Sequence, residues 1–387
     1  QLFRFAGSSN SWSVAANAAL PLSYQWQHNG SDIPDATNAT FQLDNLQTDH
    51  SGNYTVVLSN AFGVVTSSIA SLTVLPAPTY PFGQTVLSAN PLGYWRLDEP
   101  GGLVARDAVG TNNGRYSNVL LGQPGHRLVD THTSARFGLL SANNSCVTNI
   151  HLDFAGTSNA TFSIEVWVNG GSQSSDAGIV TKGFGSGGEQ FNLDCGGPNR
   201  AFRFFVRERY GSARLATSSV VPNNQWYHLV GVCDQANGVV RLYVNGVQAA
   251  QGSITPNVGL LPSEATVSIG SRQAGFGTSY NNQFSGYLQE VAVYGYALSA
   301  TQVLEHYQTA TNRPPTFPAD PFTLADAQAG QNYFGNLTPL IRDPNGDSVT
   351  FTKLSGPAWL NLTSGGILSG TPLSPEVGTN AFLIRAT

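Results

Sequence analysis

At 387 residues the chain is long enough for two or three domains. Its 11% charged residues stand beside 41% hydrophobic and 10% aromatic residues, enough apolar material for real cores, which excludes wholesale disorder. A net charge of −5 leaves no basic footprint and argues against nucleic acid as a partner, and no apolar run reaches membrane-spanning length. Opening on Gln1 and lacking Met, the chain reads as a processed or excised piece of a longer precursor.

Three cysteines (Cys146, Cys195, Cys233) are too few for a disulfide framework, and their strand-like neighbours read as buried small hydrophobes. No CxxC or HxxxH spacing gathers zinc ligands. Seven N-x-S/T sequons are about what a chain so rich in Asn, Ser and Thr carries by chance, so they support no glycosylation claim.

In chain order the apolar stretches are short and alternate with polar residues, the period of half-buried strands: Tyr54–Leu58, Phe162–Val168, Ala201–Val206, Val239–Val244 and Tyr287–Tyr294. Gly, Asn and Pro punctuate them every eight to twelve residues, as in antiparallel sandwiches and barrels. Asn245-Gly246 suits a tight hairpin turn. One helix is predicted over Ser299–Thr309, opened by a Ser299/Gln302 capping box, with Val303, Leu304 and Tyr307 as its apolar side. Two Pro-rich joints, Leu75-Pro-Ala-Pro78 and the run 312–318, predict semi-rigid spacers between separate beads.

Residues 1–76 carry Tyr24-Gln-Trp26, Leu43-Asp-Asn-Leu46 and Asp49-His-Ser-Gly52-Asn-Tyr54 and resemble a bacterial immunoglobulin-like domain. The resemblance makes Trp26 the core Trp and Tyr54 the corner Tyr, with Val56 where the second Cys of an inter-sheet disulfide would stand, and leaves the N-terminal strand incomplete.

Residues 84–310 present a series of motifs in one order. They are Gly93-Tyr-Trp-Arg-Leu-Asp98-Glu99 with Asp107, Phe162-Ser-Ile-Glu-Val-Trp-Val168, Ile179-Val-Thr-Lys-Gly183 and Gln225-Trp-Tyr-His-Leu-Val230. Val240-Arg-Leu-Tyr-Val-Asn-Gly246, Val267-Ser-Ile-Gly270 and Gly286-Tyr-Leu-Gln-Glu-Val-Ala-Val-Tyr294 follow. This region resembles the laminin G-like jelly roll of the concanavalin A-like lectins and glucanases.

Residues 319–387 carry Arg342-Asp343-Pro-Asn345-Gly-Asp347, Gly356-Pro-Ala-Trp359 and Gly366-Ile-Leu-Ser-Gly-Thr-Pro372. They resemble a cadherin-like domain of the dystroglycan type, cut before its last strand. The fold class expected is therefore all-β, three antiparallel sandwiches in series with one short helix closing the jelly roll.

A glucanase-like activity requires paired carboxylates on one strand face. Glu165 stands alone on its strand, Glu189 and Asp194 are five apart, and Glu208 lies between Arg207 and Arg209, so no pair is present. No nucleophile elbow, HExxH or phosphate loop occurs either, and the expectation is a chain that is not an enzyme.

The laminin G resemblance implies a structural calcium ion near Asp107 and Glu290, with Asp98 as a third ligand, weakened because Gln289 stands where an acid is usual. Asp343, Asn345 and Asp347 form a second candidate set, although Pro-Asn-Gly-Asp is also simply a good turn.

With Trp26, Trp95, Trp167, Trp226 and Trp359 at family core positions, no Trp in the jelly roll is left as a sugar platform. The strand Ala201–Tyr210 places Arg203, Phe205, Arg207 and Arg209 on one face, and Arg forks grip carboxylate or sulfate bidentately. These four residues are the candidate ligand site, for an acidic polysaccharide or glycoconjugate. The functional expectation is a non-catalytic extracellular or cell-surface adhesion module. A self-associating structural spacer or fibre subunit of a surface protein, and an accessory region of a secreted carbohydrate-active enzyme, are the alternatives.

Overall fold

Strands make up nearly all the regular structure of the computed structural model, joined by two α-helices, Pro81–Ser88 and Ala300–Thr311. The described residues are all except 19, 127–131, 139–145, 186, 276–278, 312 and 345. The chain divides into two units, residues 1–310 and 311–387.

The N-terminal domain has a sheet ordered Leu2–Phe5, Ala70–Leu75, Gly52–Asn60, Ser23–His28, Ser31–Asp32, facing a two-stranded sheet of Asn10–Ser13 and Thr40–Leu43. Its core gathers Trp12, Trp26, Leu46, Tyr54 and Val56. Tyr54 donates its hydroxyl to the His50 carbonyl at 2.8 Å, so the corner forms as predicted. Trp12, which the sequence left unassigned, stacks on Tyr54 with ring centroids 4.3 Å apart. The strand Leu2–Phe5 runs parallel to Ala70–Leu75 and supplies the N-terminal strand that the sequence reading found short.

Two eight-stranded sheets form the jelly roll. At the centre of one, Thr161–Gly170 pairs with Trp226–Asp234 on one side and Gly286–Tyr294 on the other. Phe162, Ile164, Val166 and Val168 point into the core between the sheets. The strand was predicted to be half-buried, yet Ser163, Glu165 and Trp167 on its other face are buried too. Phe5, Tyr80, Phe82, Val86, Val303 and Ala310 pack with Trp167 over that second face. Its cover therefore includes both helices and a residue of the first domain.

The Leu75–Pro78 joint thus does not hold two free beads apart. Arg4 donates to the Gly110 carbonyl at 2.7 Å and Asn113 to the Gln1 carbonyl at 3.0 Å, and Phe5 joins the jelly-roll cluster.

The capping box of the second helix forms as predicted: Ser299 N–H donates to Gln302 Oε1 at 3.0 Å, and Gln302 N–H to Ser299 Oγ at 3.2 Å. Its buried residues are Val303, His306 and Ala310, whereas Leu304 faces solvent. Asn245 and Gly246 both take positive φ, 51° and 78°, and turn the hairpin between Val239–Val244 and Val247–Ser253. Cys146, Cys195 and Cys233 are buried.

The second unit, described by itself, has a three-stranded sheet of Tyr333–Asn336, Ile367–Gly370 and Asn361–Leu362. A second sheet pairs Phe351–Ser355 with Leu383–Ala386. Its core is Leu337, Phe351, Leu360 and Leu368.

Candidate functional site

The strand Arg203–Arg207 alternates as predicted, with Phe204 and Val206 in the core and Arg203, Phe205 and Arg207 on the outer face. The two guanidiniums lie 5.8 and 5.0 Å from the Phe205 ring centroid. Their forks are already engaged. Arg203 grips Asp194 bidentately at 2.9 and 2.7 Å and reaches Asp176 at 2.9 Å. Arg207 donates to Glu189 at 2.9 Å, and Arg272 holds the other oxygen of that carboxylate at 3.3 Å.

Burial pushes the Asp194 carboxyl up, partly offset by Arg203, and the same acids raise Arg203 against the burial that lowers it. Three arginines thus face three acids, and the open basic face expected from the sequence is a charge-balanced ladder. Arg209 stays outside it: the residue is exposed beyond the strand end, its N–H on the Gly259 carbonyl. Glu208 pairs with Arg214 at 2.8 Å.

Asp107 is fully buried, and its carboxylate accepts four backbone N–H groups, from Tyr94 (3.1 Å), Val109 (3.3 Å), Gly110 (2.9 Å) and Asn112 (3.0 Å). Asp98 and Glu290 instead share Arg96, at 2.8 and 3.6 Å. Glu290 also accepts the Tyr80 hydroxyl at 2.9 Å and that of Tyr94. Gln289 Oε1 accepts the His126 N–H at 2.8 Å. The three acids are therefore divided between a guanidinium and backbone amides. Among the described residues no group of three His, Cys, Asp or Glu is placed to hold a metal ion. In the second unit Asp343 Oδ1 accepts the Asp347 N–H at 3.0 Å, as a turn would, and Asn345 lies outside the described residues.

Arg96 and Asp98 line a cleft of about 290 Å³ with Glu99, Arg106, Ala108, His132 and the joint residues Leu75–Thr79. Two non-glycine residues beside it take left-handed backbone, Leu97 (φ 59°) and Glu290 (φ 55°), a conformation held only where the surroundings over-determine it. The Glu290 N–H donates to the Arg96 carbonyl at 3.0 Å, so the two stand side by side. Glu290 sits where the register between Thr161–Gly170 and Gly286–Tyr294 shifts, a bulge that re-aims a side chain. Burial pushes its carboxyl up to about 7, against the opposing pull of Arg96. The sequence named Asp98, Asp107 and Glu290 but missed Arg96, although it stands two residues before Asp98 in the same motif.

A second buried cluster surrounds Glu165. His228 Nε2 lies 2.6 Å from its Oε1, His306 Nδ1 lies 3.0 Å from both oxygens, and the Tyr294 hydroxyl donates at 2.5 Å. Burial alone would raise this carboxyl; His306 and His228 outweigh it and hold the group well below the usual carboxylate range. Burial lowers His306, and Glu165 more than offsets that. Glu165 and His228 are wholly buried and His306 nearly so, and the cluster ties the second helix to the sheet.

A family model described as "Concanavalin A-like lectin/glucanases superfamily" matches residues 142–304, and one described as "Putative Ig domain" matches residues 314–387. A laminin G-like domain and an Ig-like domain are thus found in this chain, the Ig-like one over the residues whose sequence resembles a cadherin-like domain and not over residues 1–76. No curated protein matches it. Similar solved structures include the botulinum neurotoxin serotype C1 binding domain, 14% identical over 70% of this chain and 68% of that one, with a TM-score of 0.43. A native heptameric SAP-like pentraxin from Limulus polyphemus is 17% identical over 44% and 78%, with a TM-score of 0.31. The CBM40 of the Ruminococcus gnavus IT-sialidase, bound to alpha2,3 sialyllactose, is 16% identical over 38% and 81%, with a TM-score of 0.30.

Proposed function

We propose that this chain is a non-catalytic extracellular binding protein that recognises a glycan, and that it does so in the cleft around Arg96, Asp98 and Arg106. The observation that carries this reading is the cleft itself. Its volume of about 290 Å³ suits one sugar ring, and guanidiniums stand beside carboxylates in its lining. Sugar hydroxyls both donate and accept, so a lining of both kinds holds them from two sides. The match to a lectin and glucanase superfamily supports the class of ligand.

A glycan array probed with the full chain tests this, beside a Thr79→Trp variant, because Thr79 is exposed on the cleft wall and a large ring there fills the space without entering the core. Binding lost in the variant at an unchanged melting temperature is the expected result. Binding that survives Thr79→Trp but falls with Arg207→Ala moves recognition to the arginine ladder, and silence on the whole array removes the glycan reading.

A spacer that associates with its own copies is the second reading, favoured by the hairpin strand Gly63–Thr66, exposed along its length, with Phe62 86%, Val64 71% and Val65 63% accessible. Light scattering of the full chain over a concentration series tests it, and a constant monomer mass rejects it.

A further inference from the structure

We infer that the ligand of the cleft carries a carboxylate group, received by Arg106, and that the first domain helps to build the site by bracing that arginine. The inference rests on the cleft being the recognition site. Of the two guanidiniums that line the cleft, one is paired with carboxylates and the other, among the described residues, is not. Arg96 is matched by Asp98 at 2.8 Å and by Glu290 at 3.6 Å. Glu99 accepts the Tyr116 hydroxyl at 2.5 Å and the backbone N–H of Arg106 at 2.8 Å. His132 lies against the Tyr80 ring, centroids 4.5 Å apart.

Arg106 has no carboxylate at ion-pair distance among the described residues; its guanidinium lies 5.3 Å from the centroid of the Phe3 ring. Half-buried, it lines the cleft with part of its water already removed. A guanidinium held against an aromatic face keeps its fork directed, and a planar carboxylate matches that fork with two parallel hydrogen bonds. Pro76 and Pro78 also line the cleft and stiffen its wall, so little order has to be created on binding.

Phe3 belongs to the strand Leu2–Phe5 of the first domain, whereas Arg106 belongs to the jelly roll. The site therefore spans both. Without the first domain the jelly roll would keep Arg106 and lose its brace.

The experiment is calorimetric titration of the full chain with galacturonate, glucuronate and mannuronate oligosaccharides, each beside its methyl-esterified counterpart, and with succinate, at low and high salt. The acidic form of at least one sugar should bind about tenfold or more tighter than its ester, with the difference shrinking at high salt. Arg106→Gln should abolish that preference while leaving the ester's affinity in place, and Phe3→Leu, which keeps the apolar contact, should reduce it severalfold. Succinate binding that depends on Arg106 supports carboxylate capture and assigns the source to small acids rather than sugars. Equal affinity for acid and ester, or equal loss of both in Arg106→Gln, overturns the carboxylate inference and leaves the cleft reading standing. Absence of binding to every probe overturns both.

Discussion

Replacing Glu290 by Gln should stabilise the protein above neutral pH and leave it unchanged in mild acid. Glu290 is 2% exposed, and burial raises its carboxyl from 4.5 to about 7. Between those values the native state keeps the proton while the unfolded chain has lost it, so the unfolded state binds fewer protons and stability falls as pH rises. Above about 7 both states are ionised and the loss is complete. At about 1.4 kcal/mol per pH unit it comes to about 3 kcal/mol.

Gln cannot ionise, so at pH 8 Glu290→Gln should be more stable than the parent by about 1–3 kcal/mol, the lower figure allowing for the charge Arg96 then faces less of. At pH 4.5 the two should coincide. His306 also loses stabilisation as pH rises through its raised value, but that contribution is common to both proteins and cancels in the difference. Urea unfolding at pH 4.5, 6 and 8, followed by tryptophan fluorescence, measures it. A variant less stable than the parent at pH 8 would show that the Arg96 pair outweighs the burial cost, and the reasoning would fail.

Two further outcomes follow from buried hydrogen bonds. Tyr54→Phe removes the bond to the His50 carbonyl, leaves that acceptor unpaired, and should cost the first domain about 1–2 kcal/mol; an unshifted melting curve would refute the corner role. Asp107→Ala orphans four backbone N–H donors and should cost about 2–4 kcal/mol, with faster hydrogen exchange at Val109, Gly110 and Asn112. Protection retained at those amides would show that the carboxylate does not organise the loop.

Much of the fold was legible because its signals are local. The period-2 strands, the Ser299/Gln302 box, the Asn245-Gly246 turn and the Tyr54 corner each need only a few neighbouring residues, and each forms. The helix Pro81–Ser88 was missed because it is barely two turns long: a Pro at its start and Phe82 and Val86 on one side are too little signal beside a Pro-rich joint. His306 was missed as a buried residue because a histidine on a short amphipathic helix reads as solvated, and only Glu165 on a strand 141 positions away explains its burial. The arginine face was read correctly as a face and incompletely as a charge distribution. Alternation places Arg203 and Arg207 together, but Asp176, Asp194, Glu189 and Arg272 come from other segments, brought in by strand order. The same holds for Arg96, whose partner Glu290 is distant in sequence and turned toward it by a bulge.

The division of labour between the first domain and the jelly roll follows from one sheet face. Glu165, Trp167, His228, Glu290 and Tyr294 are all buried on it, although a sheet in a two-layer sandwich needs only one covered face. Polar and ionisable groups in such a position require both a seal against water and partners for every charge. The second helix supplies His306, the first supplies Phe82 and Val86, the residue just before the first helix supplies the Tyr80 ring, and the first domain supplies Phe5. Three of these four covers lie N-terminal to residue 84, where the sequence motifs of the jelly roll begin, or straddle it. The joint Leu75–Thr79 is for the same reason a cleft wall rather than a tether. Phe5 seals the sheet while Phe3, two residues earlier and also buried, braces Arg106 at the cleft, so one short strand closes a core and completes a binding surface.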